Sequence, residues 1–345
     1  MECLKILPTL TALAVLAALL LGLRWMSRGR AAGDERLPVV VSQGFPLRLR
    51  QTSGAELEIP APPRRVLPAN AAWVDFLTLL VGPERVLALP SEAFGYSRLT
   101  DRDREWSALP VFTGLDAERC LAMAPDLVLA HTWQSPEMID TLRRAAIPVL
   151  VVSVPASWEE IERTLDLLAT VLDVPERARE LEVELASRRA ALARRARPFA
   201  ELRALTYTNL GAGGWTTGTG TTADVLLSLA GLHNAAAEAG FQGDVPADGE
   251  RLLALDPDLF VVGRPDRSEV APPSATFLLA EPALRSLQAV RAQRIVALSP
   301  ALFTTASPEL LRGAEAVIDE LERMALVPRE PVSAGAAPGS PPGGG

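Results

Sequence analysis

The chain has 345 residues, of which 48% are hydrophobic and 22% charged, with a formal net charge of -8. That length accommodates two domains with their own cores, and the composition is globular rather than disordered. The acidic balance excludes a nucleic-acid binder, which needs clustered basic charge. Two cysteines, Cys3 and Cys120, exclude an internal disulfide scaffold, and two histidines, His131 and His233, are too few for a histidine-rich metal site.

Residues 6–23 form an 18-residue run without a charge. As a helix it would measure roughly 27 Å, close to the hydrocarbon thickness of a bilayer. Residues 1–36 are therefore predicted to be an export signal or membrane anchor. No cysteine follows the run, so a lipoprotein signal is not expected. Arg24, Arg28 and Arg30 come after it, which by the positive-inside rule favours the opposite orientation.

Beyond this segment, short apolar runs alternate with helical patterns. Strands are predicted near Val66, Val86, Val128 and Val151, and again in RALTYTN, DLFVVG and RIVALS. Such alternation predicts parallel sheets covered by helices. An internal repeat stands out. ERCLAMAPDLVL at 118–129 and ERLLALDPDLFV at 250–261 share seven of twelve residues at an offset of 132. In each copy a Pro-Asp pair is expected to end a helix and open a strand, with the residue before proline extended. Two related lobes follow from that match. Between them, Trp158, Ile161, Leu165, Leu168 and Leu172 fall on one helical face, and Leu181, Leu185 and Leu192 make a thinner stripe after Pro175. This stretch predicts a rigid helical spacer.

The stretch TSGAELEIPAPPRRVLPANAAWVDFLTLLVGPERVLAL resembles the opening of the iron-siderophore, heme and vitamin B12 binding proteins of ABC importers. The resemblance continues through LDAERCLAMAPDLVLA, LLSLAGLHNAAAE and ALFTTASPELLRGAEAVIDEL, and it covers about residues 45–325 in order. It implies two Rossmann-like parallel-sheet α/β lobes joined by a long rigid helix. The expected division is an N-terminal lobe at 45–155, a helical spacer at 156–198, a C-terminal lobe at 199–327 and a disordered Pro/Gly/Ala tail at 328–345. The resemblance also implies work outside the cytoplasmic membrane, which overrides the arginine pattern. It implies capture of an iron chelate or corrinoid for an ABC permease dimer, without cofactor or catalysis.

Candidate ligand contacts lie in loops after strand ends, where open α/β sheets leave crevices. They are Asn70, Phe94, Tyr96, Phe112, His131 and Trp133 in the first lobe, and Trp215 and Phe303 in the second. Aromatic rings grip bulky planar ligands at low entropy cost. By the resemblance, Phe112, Trp215 and Phe303 match aromatic walls of the B12-binding branch, and His131 stands at another aromatic position there. Thr305 stands where many relatives carry arginine, which argues against a strongly anionic ligand; Arg98 remains a candidate cation. Glu118 and Glu250, one per lobe, match the glutamates with which the family docks on permease arginines.

The loop GAGGWTTGTGTTA imitates a dinucleotide fingerprint, but it lies about ten residues past its strand and lacks a phosphate-loop ending. Its glycines are expected to let the loop approach a ligand. No nucleophile elbow, metal-protease motif or Cys–His pair is present. The alternatives are a membrane-tethered sensor or scaffold with this fold, or a nitrogenase-like cofactor-handling protein.

Overall fold

A computed structural model describes residues 37–99, 103–209, 211, 213–264, 272–303 and 305–324. The expectations for residues 1–36 and for the tail at 328–345 lie outside the described residues.

The chain enters through an antiparallel meander of β1 (Val39–Val40), β2 (Leu47–Arg50) and β3 (Glu56–Ile59). Leu47, Leu49, Leu57 and Ile59 alternate with arginine and glutamate, so one face is buried and the other charged. A parallel sheet follows, in the order β4 (Val66–Pro68), β7 (Leu127–His131), β8 (Val149–Val152). A bridge from Val66 to Val86 leads on to a second parallel pair, β5 (Leu89–Pro90) and β6 (Val111–Phe112). Helices α1 (Ala71–Leu80), α2 (Ala93–Tyr96), α3 (Ala117–Met123) and α4 (Pro136–Arg144) connect these strands.

The helical region is two helices, α5 (Trp158–Leu172) and α6 (Pro175–Ala196), and not one continuous rod. Asp173 ends α5 in the left-handed region, and α5 folds back along α6. Both apolar stripes read from the sequence are buried. Only α6 runs between the lobes; at 22 residues it is roughly 33 Å long. Arg177 at its start bonds the Leu79 carbonyl at 2.9 Å. Arg188 and Arg195 farther along pair with Glu315, Asp319 and Glu322 of the second lobe.

In the second lobe the strand order is β12 (Asp244–Pro246), β10 (Gly214–Thr217), β9 (Arg203–Asn209), β13 (Leu259–Gly263), β14 (Ile295–Leu298), with β11 (His233–Asn234) also on β9. Strands β9, β11, β13 and β14 are parallel, while β10 and β12 add an antiparallel flank. Helices α7 (Thr222–Leu229), α8 (Gly249–Leu255), α9 (Pro300–Phe303) and α10 (Leu310–Arg323) are among those that cover it. The glycine-rich segment read as a loop thus forms β10. A Cβ on Gly218 would lie 2.0 Å from the Phe241 carbonyl oxygen, so this glycine admits the chain's own backbone.

The repeat is visible in atomic detail. Asp126 accepts from the amides of Arg64 and Arg65 ahead of β4, and Asp258 accepts from the Arg203 amide at the start of β9. The residues before both prolines, Ala124 (φ 46°) and Asp256 (φ 36°), are left-handed, not extended as expected. Their amides close the helix ends onto Leu121 and Leu252, and this reverses the chain within one residue.

Candidate functional site

The carboxyl ends of the strands in both lobes supply the loops chosen from the sequence. At the end of β7, His131 is 1% exposed and lies between two indoles. Trp73 of α1 stacks beneath it at 4.3 Å and 17°, and Trp133 above it at 4.5 Å and 29°. Trp133 is 40% exposed, so the stack runs from the core to the surface. Trp73 was not among the residues singled out, because within the apolar pattern of α1 it reads as ordinary core.

Asn70 fixes the histidine. Its Oδ1 accepts from the Ala72 amide at 3.1 Å as the helix N-cap, which leaves Nδ2 to donate to His131 Nδ1 at 2.9 Å. Nδ1 is therefore the acceptor, and the neutral ring carries its proton on Nε2. Burial pushes the imidazole pKa down to about 3, so the ring stays neutral. With both faces covered and Nδ1 engaged, His131 is a spacer between indoles.

The other candidates divide. Tyr96 is 49% exposed, and α2, which carries it, packs against α9 across the lobe boundary. Trp215 is half-buried on β10, between Thr208 and Pro246 of the neighbouring strands. Phe94 is partly buried against the main core. Phe112 and Phe303 were expected on the ligand wall, but each is only 7% exposed. Phe112 fills the first-lobe cluster with Leu67 and Ile139, and Phe303 packs over Gly263. A loop position in the sequence does not distinguish a ring facing the cleft from one that plugs its own lobe.

A buried polar knot joins the lobes. Asp75 on α1 is fully buried; its Oδ1 accepts from the Arg98 amide at 2.6 Å. Its Oδ2 accepts from Thr305 at 2.9 Å and Ser307 at 2.7 Å, both in the second lobe. Burial pushes this carboxyl up to about 7, and the nearby Glu309 adds to the rise. The Arg98 guanidinium lies 3.8 Å from Glu309, so the candidate cation already has a counter-charge. Two grooves flank α6. One of about 750 Å³ is lined by Trp158, Arg189, Ala190, Asp224 and Leu229, and one of about 450 Å³ by Arg98, Arg188, Glu309 and Arg312. Neither includes Tyr96, Trp133 or Trp215. Among the described residues no group of three or more His, Cys, Asp or Glu side chains is arranged to hold a metal ion.

This two-lobed frame matches known proteins. The family model described as periplasmic binding protein matches residues 100–302, more than half of the chain. The chain belongs to the periplasmic binding protein family. This binding protein is 22% identical over 289 residues to the uncharacterized ABC transporter substrate-binding lipoprotein YvrC of Bacillus subtilis, covering 80% of this chain and 86% of that one. A periplasmic heme binding protein from Pseudomonas aeruginosa is 26% identical with a TM-score of 0.63, covering 75% and 92% of the two chains. A Saccharomonospora viridis protein of an ABC-type Fe3+-hydroxamate transport system shares the fold at 22% identity and a TM-score of 0.65, covering 80% and 98%. Family membership places this binding protein outside the cytoplasmic membrane, as the sequence resemblance implied.

Proposed function

We propose that this chain is the solute receptor of an ABC importer and that it holds an iron chelate (siderophore or heme) or a corrinoid between its lobes, without catalysis. The observation that carries the reading is the Trp73–His131–Trp133 stack. Its outer ring, Trp133, is part-exposed on a buried, uncharged base, and such a ring suits a flat conjugated ligand. The heme binding relative supports a flat ligand, and the relative from an Fe3+-hydroxamate transport system supports the wider class of iron chelates. Tyr96 and Trp215 complete the aromatic contacts in this reading, Asn70 and His131 act beneath Trp133, and Phe94, Phe112 and Phe303 shape the lobe ends. Residues 45–155 and 199–327 serve as the two lobes on either side of the helices.

Delivery uses Glu118 and Glu250 as docking points for a permease of two like subunits. They occupy the same register in α3 and α8, and both are exposed. The test is a visible-absorption titration of the purified protein with hemin, cyanocobalamin and a ferric hydroxamate. At least one is expected to bind, and Trp133→Ala is expected to weaken that binding by about 1–3 kcal/mol. Failure to bind any of the three removes the ligand class. Unchanged affinity in Trp133→Ala removes the platform.

A further inference from the structure

The repeated helices α3 and α8 show more than a glutamate each. Both begin after an aspartate N-cap: Asp116 accepts from the Arg119 amide at 2.8 Å, and Asp248 from the Arg251 amide at 2.9 Å. Both arginine side chains turn back onto the chain's own carbonyls, Arg119 onto Thr113 and Gly114, Arg251 onto Pro246. Neither glutamate has an ion-pair partner among the described residues. One face of each helix is buried through Cys120 in the first lobe and Leu252 and Leu255 in the second.

A leucine follows each glutamate by three residues, on the same side of the helix and about 100° round from the buried residue before it. Leu121 is 40% exposed and Leu253 is 36% exposed. A single exposed leucine has no meaning on a protein surface. Two at one register, beside two unpaired glutamates, on two braced copies of one helix, form a matched pair of surfaces. Such a pair fits a partner that itself offers two like surfaces. The charge calls for a basic side chain on the partner, and the leucine calls for an apolar recess next to it. Apolar contact at the centre of an interface supplies affinity, while charge sets encounter and orientation.

We infer that Leu121 and Leu253 are apolar anchors that seat the protein on the two subunits of its membrane permease, each in a recess beside the basic residue that meets Glu118 or Glu250. This rests on the docking reading above. The test places a photo-crosslinking amino acid at Ala122 or Ala254, both exposed next to the leucines. The full-length chain is expressed in its native host and irradiated, and adducts are identified by mass spectrometry. Both positions are expected to capture the same multi-span permease subunit. Leu121→Ser with Leu253→Ser is expected to cut the adduct at least fivefold without shifting the thermal midpoint. Adduct retained in the leucine pair but lost in Glu118→Ala with Glu250→Ala overturns the anchors and leaves charge docking standing. Adduct lost in the leucine pair alone keeps the anchors and removes the charge reading. Capture from one lobe only, or of no membrane protein, overturns the inference.

Discussion

At the head of β7, Asp126 clasps the amides that lead into β4; at the head of β13, Asp258 does the same for β9. Five residues further along these strands, at the same repeat offset of 132, stand His131 and Gly263. His131 carries the aromatic stack out toward the surface, whereas Gly263 has no side chain and lies under the Phe303 ring. The two copies thus agree where the strand is anchored and part at its carboxyl end. Folding constraints act on the first end equally in both lobes. The second end is free to differ: in the first lobe a buried histidine supports a part-exposed indole, and in the second a glycine lies under a buried phenylalanine.

The largest test of this comparison is in the pH dependence of stability. Asp75, which joins the two cleft faces, has an ordinary carboxyl pKa of 3.8 that is raised to about 7 by burial. Its contribution is full below 3.8 and is lost as pH rises toward 7. His131 has an ordinary pKa of 6.5 that is lowered to about 3 by burial, so its contribution is full above 6.5 and is lost as pH falls toward 3. Each slope is about 1.4 kcal/mol per pH unit, and between about pH 4 and 6.5 they oppose one another. Asp75→Asn is expected to make stability rise with pH relative to the parent, by roughly 3 kcal/mol over two units. His131→Phe, which keeps a ring between the indoles, is expected to give the reverse. Urea denaturation at pH 4.5, 5.5 and 6.5 measures both, and two curves parallel to the parent's would refute the assignment.

A smaller effect sharpens the shared end. Asp126→Ala leaves the Arg64 and Arg65 amides without an acceptor and Asp258→Ala the Arg203 amide, and each is expected to cost about 2–3 kcal/mol. Asp258 is 2% exposed, so its loss is the greater. A near-zero cost in one lobe would break the equivalence. The divergent end gives the smallest change. His131→Ala removes two ring contacts, expected at about 1–2 kcal/mol, and reddens the emission of Trp133 as it becomes wetter. Gly263→Ala puts a Cβ 3.0 Å from Phe303 and is expected to cost about 1 kcal/mol while leaving tryptophan emission unchanged.

Much of the frame could be read from residues alone. The runs around Val128 and Val151, RALTYTN, DLFVVG and RIVALS carry enough branched apolar side chains to declare buried parallel strands. The meander β1–β3 went unread although LRLR and ELEI alternate visibly. The strand β10 hides in a glycine-rich segment because its signal is backbone pairing, which leaves little trace in side chains. Among the candidate contacts, Trp133 lies beyond a strand as expected from the sequence, whereas His131 is the last residue of β7 and Tyr96 the last of α2. Trp73 and Asp75 were not legible, since both sit inside the apolar pattern of α1 and acquire their roles from residues far away in sequence. The polar Asp75 amid AAWVDFLTLL was the one available hint of a buried network.

Helix α6 has a consequence for how divisible this molecule is. Leu181, Leu185 and Leu192 belong to one apolar cluster that also holds Trp73 of the first lobe and Leu310 of the second. Each half also has a smaller buried cluster of its own, yet both close onto this shared one. A gene cut after β8 would leave α1 with bare leucines, and one begun at β9 would leave α10 without its arginine clamps on α6. The halves have become one heritable piece, and they are expected to melt in a single transition.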